Sequence, residues 1–274
     1  MNRKMNYSRG AKAFTLMELL VLLAVLTVLV VPALLGIRYK SRQRVLIAQC
    51  ATNLRQLASA TQFYAADNRE YLPPFTSVAW AWDLPSDISQ SFISYGLQKK
   101  NFYCPSTAPA YTDKENFLAP HPSSLWNFDF PPGAFHITGY VYAFGGSGSK
   151  VDVRYQNAKI ISERHSTGAT AFSDSPASRV LMADVIISTS SFYPASASQP
   201  FQGIAGGFIK PHLSAHLSGG VPSGGNQSYK DGHVQWKKFN SPPAGFSVPN
   251  NGPWLNTEDA YTMVRTTSAP YFWW

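Results

Sequence analysis

His216, Asp231 and His233 are the residues whose types could hold a metal ion or pass a proton. A metal centre or an acid–base pair needs its lone pairs brought to one point, so spacing decides. Here spacing argues against both. Asp231 belongs to an Asp-Gly turn dipeptide, His233 takes an exposed position on the strand that follows, and no third ligand has a spacing that singles it out. No G-x-S-x-G, H-E-x-x-H or Cys–His nucleophile pattern occurs, and the carboxylates are too scattered to nominate a glycosidase pair. Glycines 145, 146 and 148, and again 219, 220, 224 and 225, mark turns; no Lys-Ser or Lys-Thr follows them at phosphate-loop spacing. No Asp/Asn loop for calcium is evident. The reading is a chain without a catalytic residue, metal or cofactor, hence not an enzyme.

Two other features carry chemistry. Cys50 and Cys104 are the only cysteines, too few for a disulfide-rich scaffold or a four-thiolate zinc site. Cys50 lies on the helical stripe Leu46, Cys50, Leu54, Leu57, Thr61, Tyr64. Cys104 lies in the short apolar segment Phe102-Tyr103-Cys104-Pro105. A bridge between them is predicted, against the alternative of two buried free thiols; it would contribute roughly 4 kcal/mol by loop closure. The second feature is Glu18, a lone acid inside the apolar run Phe14-Thr15-Leu16-Met17-Glu18-Leu19-Leu20. In hydrocarbon a carboxylate needs a partner. A cut between Ala13 and Phe14 would place a new α-amino group four residues before Glu18, on the same helix face.

The elements that position these groups follow from composition. Of 274 residues, 45% are hydrophobic and 14% charged, which excludes a self-repelling disordered chain. The formal charge of +8 owes much to Arg3, Lys4, Arg9 and Lys12, all in the first thirteen residues, so it is weak ground for nucleic-acid binding. Leu19 to Ile37 is free of charge, and as a helix would span roughly 28 Å, enough for a bilayer core. Arg38, Lys40, Arg42 and Arg44 then stop the run, either attracted to anionic lipid or as a plain solvated face. Helical periodicity continues to Asp67-Asn68, with Asn68 suited to the residue just past the helix end, Pro73-Pro74 forbidding more, and Pro32 an expected kink.

Beyond Pro74 the chain is rich in Gly, Pro, Ser and aromatic residues, with β-prone stretches at Thr138–Phe144 and Ser178–Ile187. Asn226 to Trp236 reads as a hairpin turning at Asp231-Gly232 in a type I′ turn. Trp80, Trp82 and Trp126 could offer stacking platforms for sugars, with core packing the more frequent fate. Tyr271 to Trp274 reads as a strand completing the sheet. The fold class is α+β: a long N-terminal helix, its first half membrane-spanning, packed on an antiparallel sheet with long loops.

Lys12-Ala13-Phe14-Thr15-Leu16-Met17-Glu18-Leu19-Leu20 resembles the prepilin cleavage and methylation motif of type IV pilins and type II secretion pseudopilins. Ala13 stands where that family usually has Gly. His216, Asn226, Asp231 and Gly232 resemble the H-X9-DG processing-associated module of prepilin-like proteins, lengthened here by the loop-like Val221-Pro222-Ser223-Gly224-Gly225. Cys50–Leu57 and Cys104-Pro105-Ser106 are similar to the same group.

The resemblance implies cleavage by a prepilin peptidase after Ala13 and N-methylation of Phe14. It also implies a single-pass helix in the inner membrane and a body in the periplasm. The domains expected are a leader (1–13), a transmembrane and assembly helix (14–44), and a pilin-like body (45–274) opening with helix 45–68. The expected function is a structural subunit packing with other pilin or pseudopilin chains into a filament. The alternative is a membrane-anchored periplasmic module binding glycan or a secreted substrate.

Overall fold

The computed structural model describes residues 15–75, 80–108, 111–112, 125–126, 135–142, 180–189, 201–204, 210–239, 263–264 and 271–273, without the side chains at 32–35, 37, 39 and in the last two segments. The leader, Ala13 and Phe14 lie outside these residues. Two compact units divide the chain, Met1–Arg44 and Val45–Trp274, and helix α1 (Leu16–Asp67) contributes to both.

In the first unit α1 begins with a capping box. Glu18 Oε2 accepts from the Thr15 N–H and hydroxyl, each at 2.9 Å, and the Glu18 N–H donates to Thr15 Oγ1 at 3.2 Å. The acid thus has local neutral partners, and the amine expected at Phe14 after cleavage lies outside the described residues. The large apolar side chains from Leu16 to Val31 are 46–75% exposed, and the helix runs through Pro32. Among the described residues no helix is long and apolar enough to cross a membrane; side chains at 32–35 and 37, inside the apolar run, lie outside that description.

In the second unit α1 is amphipathic. Cys50, Leu54, Leu57, Ala58, Thr61 and Ala65 are buried at helical spacing. Asn68 closes the helix differently from the expectation: its side chain donates to the Tyr64 carbonyl at 2.8 Å, and the left-handed residues are Arg69 and Glu70.

Thereafter come β1 (Asp83–Pro85), α2 (Ser86–Ser94), β2 (Phe135–Ile137), β3 (Tyr140–Tyr142), β4 (Val180–Asp184), β5 (Ile187–Ser188), β6 (Leu217–Ser218), β7 (Val221–Pro222), β8 (Gly224–Tyr229), β9 (Val234–Lys238), β10 (Met263–Val264) and β11 (Tyr271–Trp273). All pairings are antiparallel: a four-stranded sheet β3-β4-β8-β9, a three-stranded sheet β10-β11-β5, and the pairs β1-β2 and β6-β7. The architecture is mixed α+β with antiparallel sheets.

Period-two alternation gives the larger sheet two apolar faces. Tyr140, Tyr142 and Met182 join Cys50, Leu54 and Leu57 of α1 in one cluster, while Val141 and Ala183 join Trp82, Tyr111 and Ile187 in another. Trp82 is fully buried, with Trp80 stacked on it at 5.3 Å.

The β-prone stretch 178–187 breaks at Val185-Ile186, β4 entering the four-stranded sheet and β5 pairing with β11, and three expectations need correcting. The C-terminal strand accordingly joins that smaller sheet, and Trp274 lies outside the described residues. Val221 to Gly225 is not loop, since Val221-Pro222 forms β7 and Gly224-Gly225 opens β8. The hairpin β8–β9 forms, but its turn is not type I′: Gly232 alone has positive φ (88°), and the Gly232 N–H donates to the Tyr229 carbonyl. This is a three-residue loop closed by a left-handed glycine.

Candidate functional site

One point in the second unit gathers chemistry from five elements. Cys50 comes from α1, Cys104 from the residue before a short 3-10 turn (Pro105–Thr107), Asp184 from the end of β4, His216 from the residue before β6, and Asn226 from β8. The first four are at most 1% exposed, and one donor atom from each lies within 4.8 Å of the others.

Cys50 and Cys104 are joined as a disulfide, with Cα atoms 5.3 Å apart. Two features bring the chain to that place. Asn53 and Gln56 of α1 hold the preceding segment: the Asn101 side-chain N–H groups donate to Asn53 Oδ1 (3.2 Å) and Gln56 Oε1 (2.6 Å), and Asn53 Nδ2 donates to the Tyr103 carbonyl at 3.2 Å. Gly139 lets the chain entering β3 approach closely, because a Cβ there would meet the Cys104 nitrogen at 2.7 Å.

Asp184 is fixed through one oxygen. Its Oδ2 accepts from His216 Nε2 (2.9 Å), the Asn226 backbone N–H (2.7 Å) and Asn226 Nδ2 (2.8 Å). Asn226 Nδ2 also donates to the Ile47 carbonyl at 3.1 Å, tying the acid to the backbone of α1. Asp184 Oδ1 and His216 Nδ1 are buried with no hydrogen-bond partner among the described residues, an expensive condition for polar atoms. Burial pushes the hydroxyl pKa of neighbouring Tyr140 well up, and the Asp184 carboxylate adds to that, so Tyr140 stays a neutral phenol that accepts from Asn53 Nδ2.

His216 is held in an uncommon backbone conformation, φ +53°. Its N–H donates to Ser106 Oγ (3.1 Å), and its carbonyl accepts from both the N–H and the hydroxyl of Ser223, each at 3.0 Å. The ring thereby reaches Cys104 Sγ at 3.8 Å, and Ser106 Oγ lies 3.0 Å from the same sulfur. Trp236 covers the imidazole edge to face at 5.2 Å.

The remaining module residues go elsewhere. Asp231 Oδ1 accepts from the backbone N–H and Nδ1 of exposed His233, the turn role expected for it. Gly232 sits where a Cβ would meet Gln62 Nε2 at 2.9 Å, and that amide donates to the Lys230 carbonyl at 3.3 Å. Asn226 and the hairpin turn therefore grip the second half of α1 at two places, near Ile47 and at Gln62. Neither Asp231 nor His233 belongs to the group around His216, which among the described residues is the one cluster of three or more His, Cys, Asp or Glu able to surround an ion.

The sequence grouped His216 with Asn226, and the two do meet, on Asp184 Oδ2, whereas Asp231 and Gly232 of the same group lie elsewhere. Asp184 was not named from the sequence. Asp184 sits in an apolar β-stretch, Ser178 to Ile187, and an acid among such neighbours is the signal that could have found it. Ser106 carried no signal of its own beyond its place beside Cys104-Pro105. Comparisons of the chain with protein-family models, with curated proteins and with solved structures returned no match.

Proposed function

We propose that the chain is a pseudopilin-like structural subunit: cut between Ala13 and Phe14 by a prepilin peptidase, methylated at Phe14, resident in the inner membrane, and assembled with like subunits into a filament of type II secretion or type IV pilus kind. The observation that carries this reading is the apolar first part of α1. From Leu16 to Val31 it exposes its large hydrophobic side chains on every side, a surface that water does not tolerate uncovered. Lipid covers such a helix before assembly and neighbouring helices cover it afterwards. The lone acid, Glu18, sits one turn into that surface, where the amine of a processed Phe14 would meet it. The body, fastened by its disulfide and by the module's two grips on α1, supplies the extracytoplasmic part. The aromatic pair Trp80–Trp82 adds little to a glycan-binding alternative, because Trp82 is buried.

N-terminal sequencing and subunit incorporation test the proposal together. The mature chain should begin at methylated Phe14, and Glu18→Ala should be cleaved normally yet enter filaments at a small fraction of the wild-type level. A mature protein beginning at Met1, or full incorporation of Glu18→Ala, would overturn it.

A further inference from the structure

We propose that Cys50, Cys104, Asp184 and His216 form a redox-gated zinc site, closed while the cysteines are a disulfide and able to hold one Zn²⁺ when they are thiols. Two thiolates, an imidazole and a carboxylate are a donor set that suits zinc over calcium or magnesium. Tetrahedral zinc places its donor atoms about 3.3–3.8 Å apart. Cys104 Sγ and His216 Nε2 are already 3.8 Å apart and one donor atom of each of the four residues lies within 4.8 Å of the others, so two changes are required: the two sulfurs part, and the 2.9 Å hydrogen bond between His216 Nε2 and Asp184 Oδ2 gives way to the metal.

A second observation points to a ligand. Asp184 presents a buried oxygen, Oδ1, without a hydrogen-bond partner among the described residues, while its other oxygen is anchored by Asn226. Part of an outer layer that orients the ligands is also in place, on the His216 backbone and the Cys104 sulfur, while His216 Nδ1 has no partner among the described residues. Ser106 Oγ accepts from the His216 N–H and can donate to the Cys104 sulfur, and Ser223 fixes the His216 carbonyl.

The redox balance is simple. A dithiol reductant transfers two electrons and two protons, becomes a disulfide itself, and leaves Cys50 and Cys104 as thiols. Zinc then binds the two sulfurs with release of two thiol protons, while the imidazole proton moves from Nε2 to Nδ1 and frees Nε2 for the metal. Because the bridge is buried, the reductant reaches it only when the body opens, and zinc loading accompanies refolding of the reduced chain. Oxidation by a disulfide of that same class returns the bridge and expels the ion. This inference stands apart from the filament reading.

The test uses the full chain in detergent micelles, reduced anaerobically with a phosphine and stripped of metal. On adding Co²⁺, the reduced chain should show the thiolate charge-transfer band and the visible bands of tetrahedral cobalt, both abolished by one equivalent of Zn²⁺. The oxidised chain should take up neither ion. Zinc-edge X-ray absorption of the wild-type chain should give two sulfurs at about 2.3 Å and two lighter donors at about 2.0 Å. His216→Gln and Asp184→Asn should each weaken zinc binding by about 10- to 100-fold or more. The proposal is overturned by any of three results: no tetrahedral cobalt spectrum, a zinc shell other than two sulfurs and two lighter atoms, or a reduced chain whose near-ultraviolet dichroism is lost and not restored by zinc. Unchanged affinity in either variant overturns it as well.

Discussion

The two halves of α1 are the same regular helix with opposite solutions to the same problem. From Leu16 to Val31 the apolar side chains lie all round the axis and are exposed. From Cys50 onward a stripe of Cys50, Leu54, Leu57 and Thr61 is buried within the body, while Val45 and Phe63 of the same helix face outward. A helix that is hydrophobic on every side has no polar face to give to water and needs apolar cover all round. An amphipathic helix finds its partner in its own sheet. On the proposed function the first half would bear on assembly and the second on stability, and perturbations of the two halves should then separate cleanly.

Opening the disulfide gives the largest expected effect. In chelated, metal-free buffer, Cys104→Ala should destabilise the body by about 4 kcal/mol, read as the shift in urea unfolding followed by tryptophan fluorescence. Far-ultraviolet signal from the first half of α1 should persist through that transition. A paired substitution sharpens the comparison: Leu57→Ala, in the buried stripe, should cost about 3 kcal/mol in the same assay, whereas Leu23→Ala, 59% exposed, should change it by less than about 0.5 kcal/mol. Equal costs would mean that the first half is also packed within the chain.

A smaller effect than that of the disulfide or of Leu57 comes from pH. Burial lowers the His212 pKa from 6.5 to about 4, against the raising effect of its hydrogen bonds to the backbone at Thr138 and Leu213. His212 is thus neutral in the folded state, where Trp82 and Tyr111 lie at 4.6 and 4.0 Å, while the unfolded chain takes up a proton below pH 6.5. Stability is full above that pH and falls as pH drops from 6.5 towards 4. At pH 5 the loss should be about 2 kcal/mol. His212→Gln should flatten this part of the profile, and assembly driven by the first half of α1 should not follow it.

Much of the α-helical architecture could be read from residue order alone. The buried stripe of α1 is local periodicity, and the β8–β9 hairpin announces itself by Asp231-Gly232. The disulfide partners could be named because each cysteine lies in an apolar setting. What could not be read depends on contacts distant in sequence. The strand Gly224–Tyr229 is polar in composition yet wholly buried, because Ser228 donates to the Met182 carbonyl, the Tyr229 hydroxyl donates to Gln227, and Asn226 holds Asp184. No hydropathy pattern reveals a strand whose burial is compensated by side-chain hydrogen bonds. Likewise, His216 meets Asp184 only after β4 and the segment before β6 are brought side by side. The turn type was missed because the dipeptide alone does not set loop length.

The left-handed backbone at His216 has a consequence for what this position would tolerate over many generations. Glycine adopts that conformation without strain, and asparagine, aspartate and histidine adopt it more readily than other side chains. Libraries of random substitutions at 216 should therefore divide into variants that fold comfortably and variants that keep the imidazole's hydrogen bond to Asp184, with histidine standing where the two demands meet.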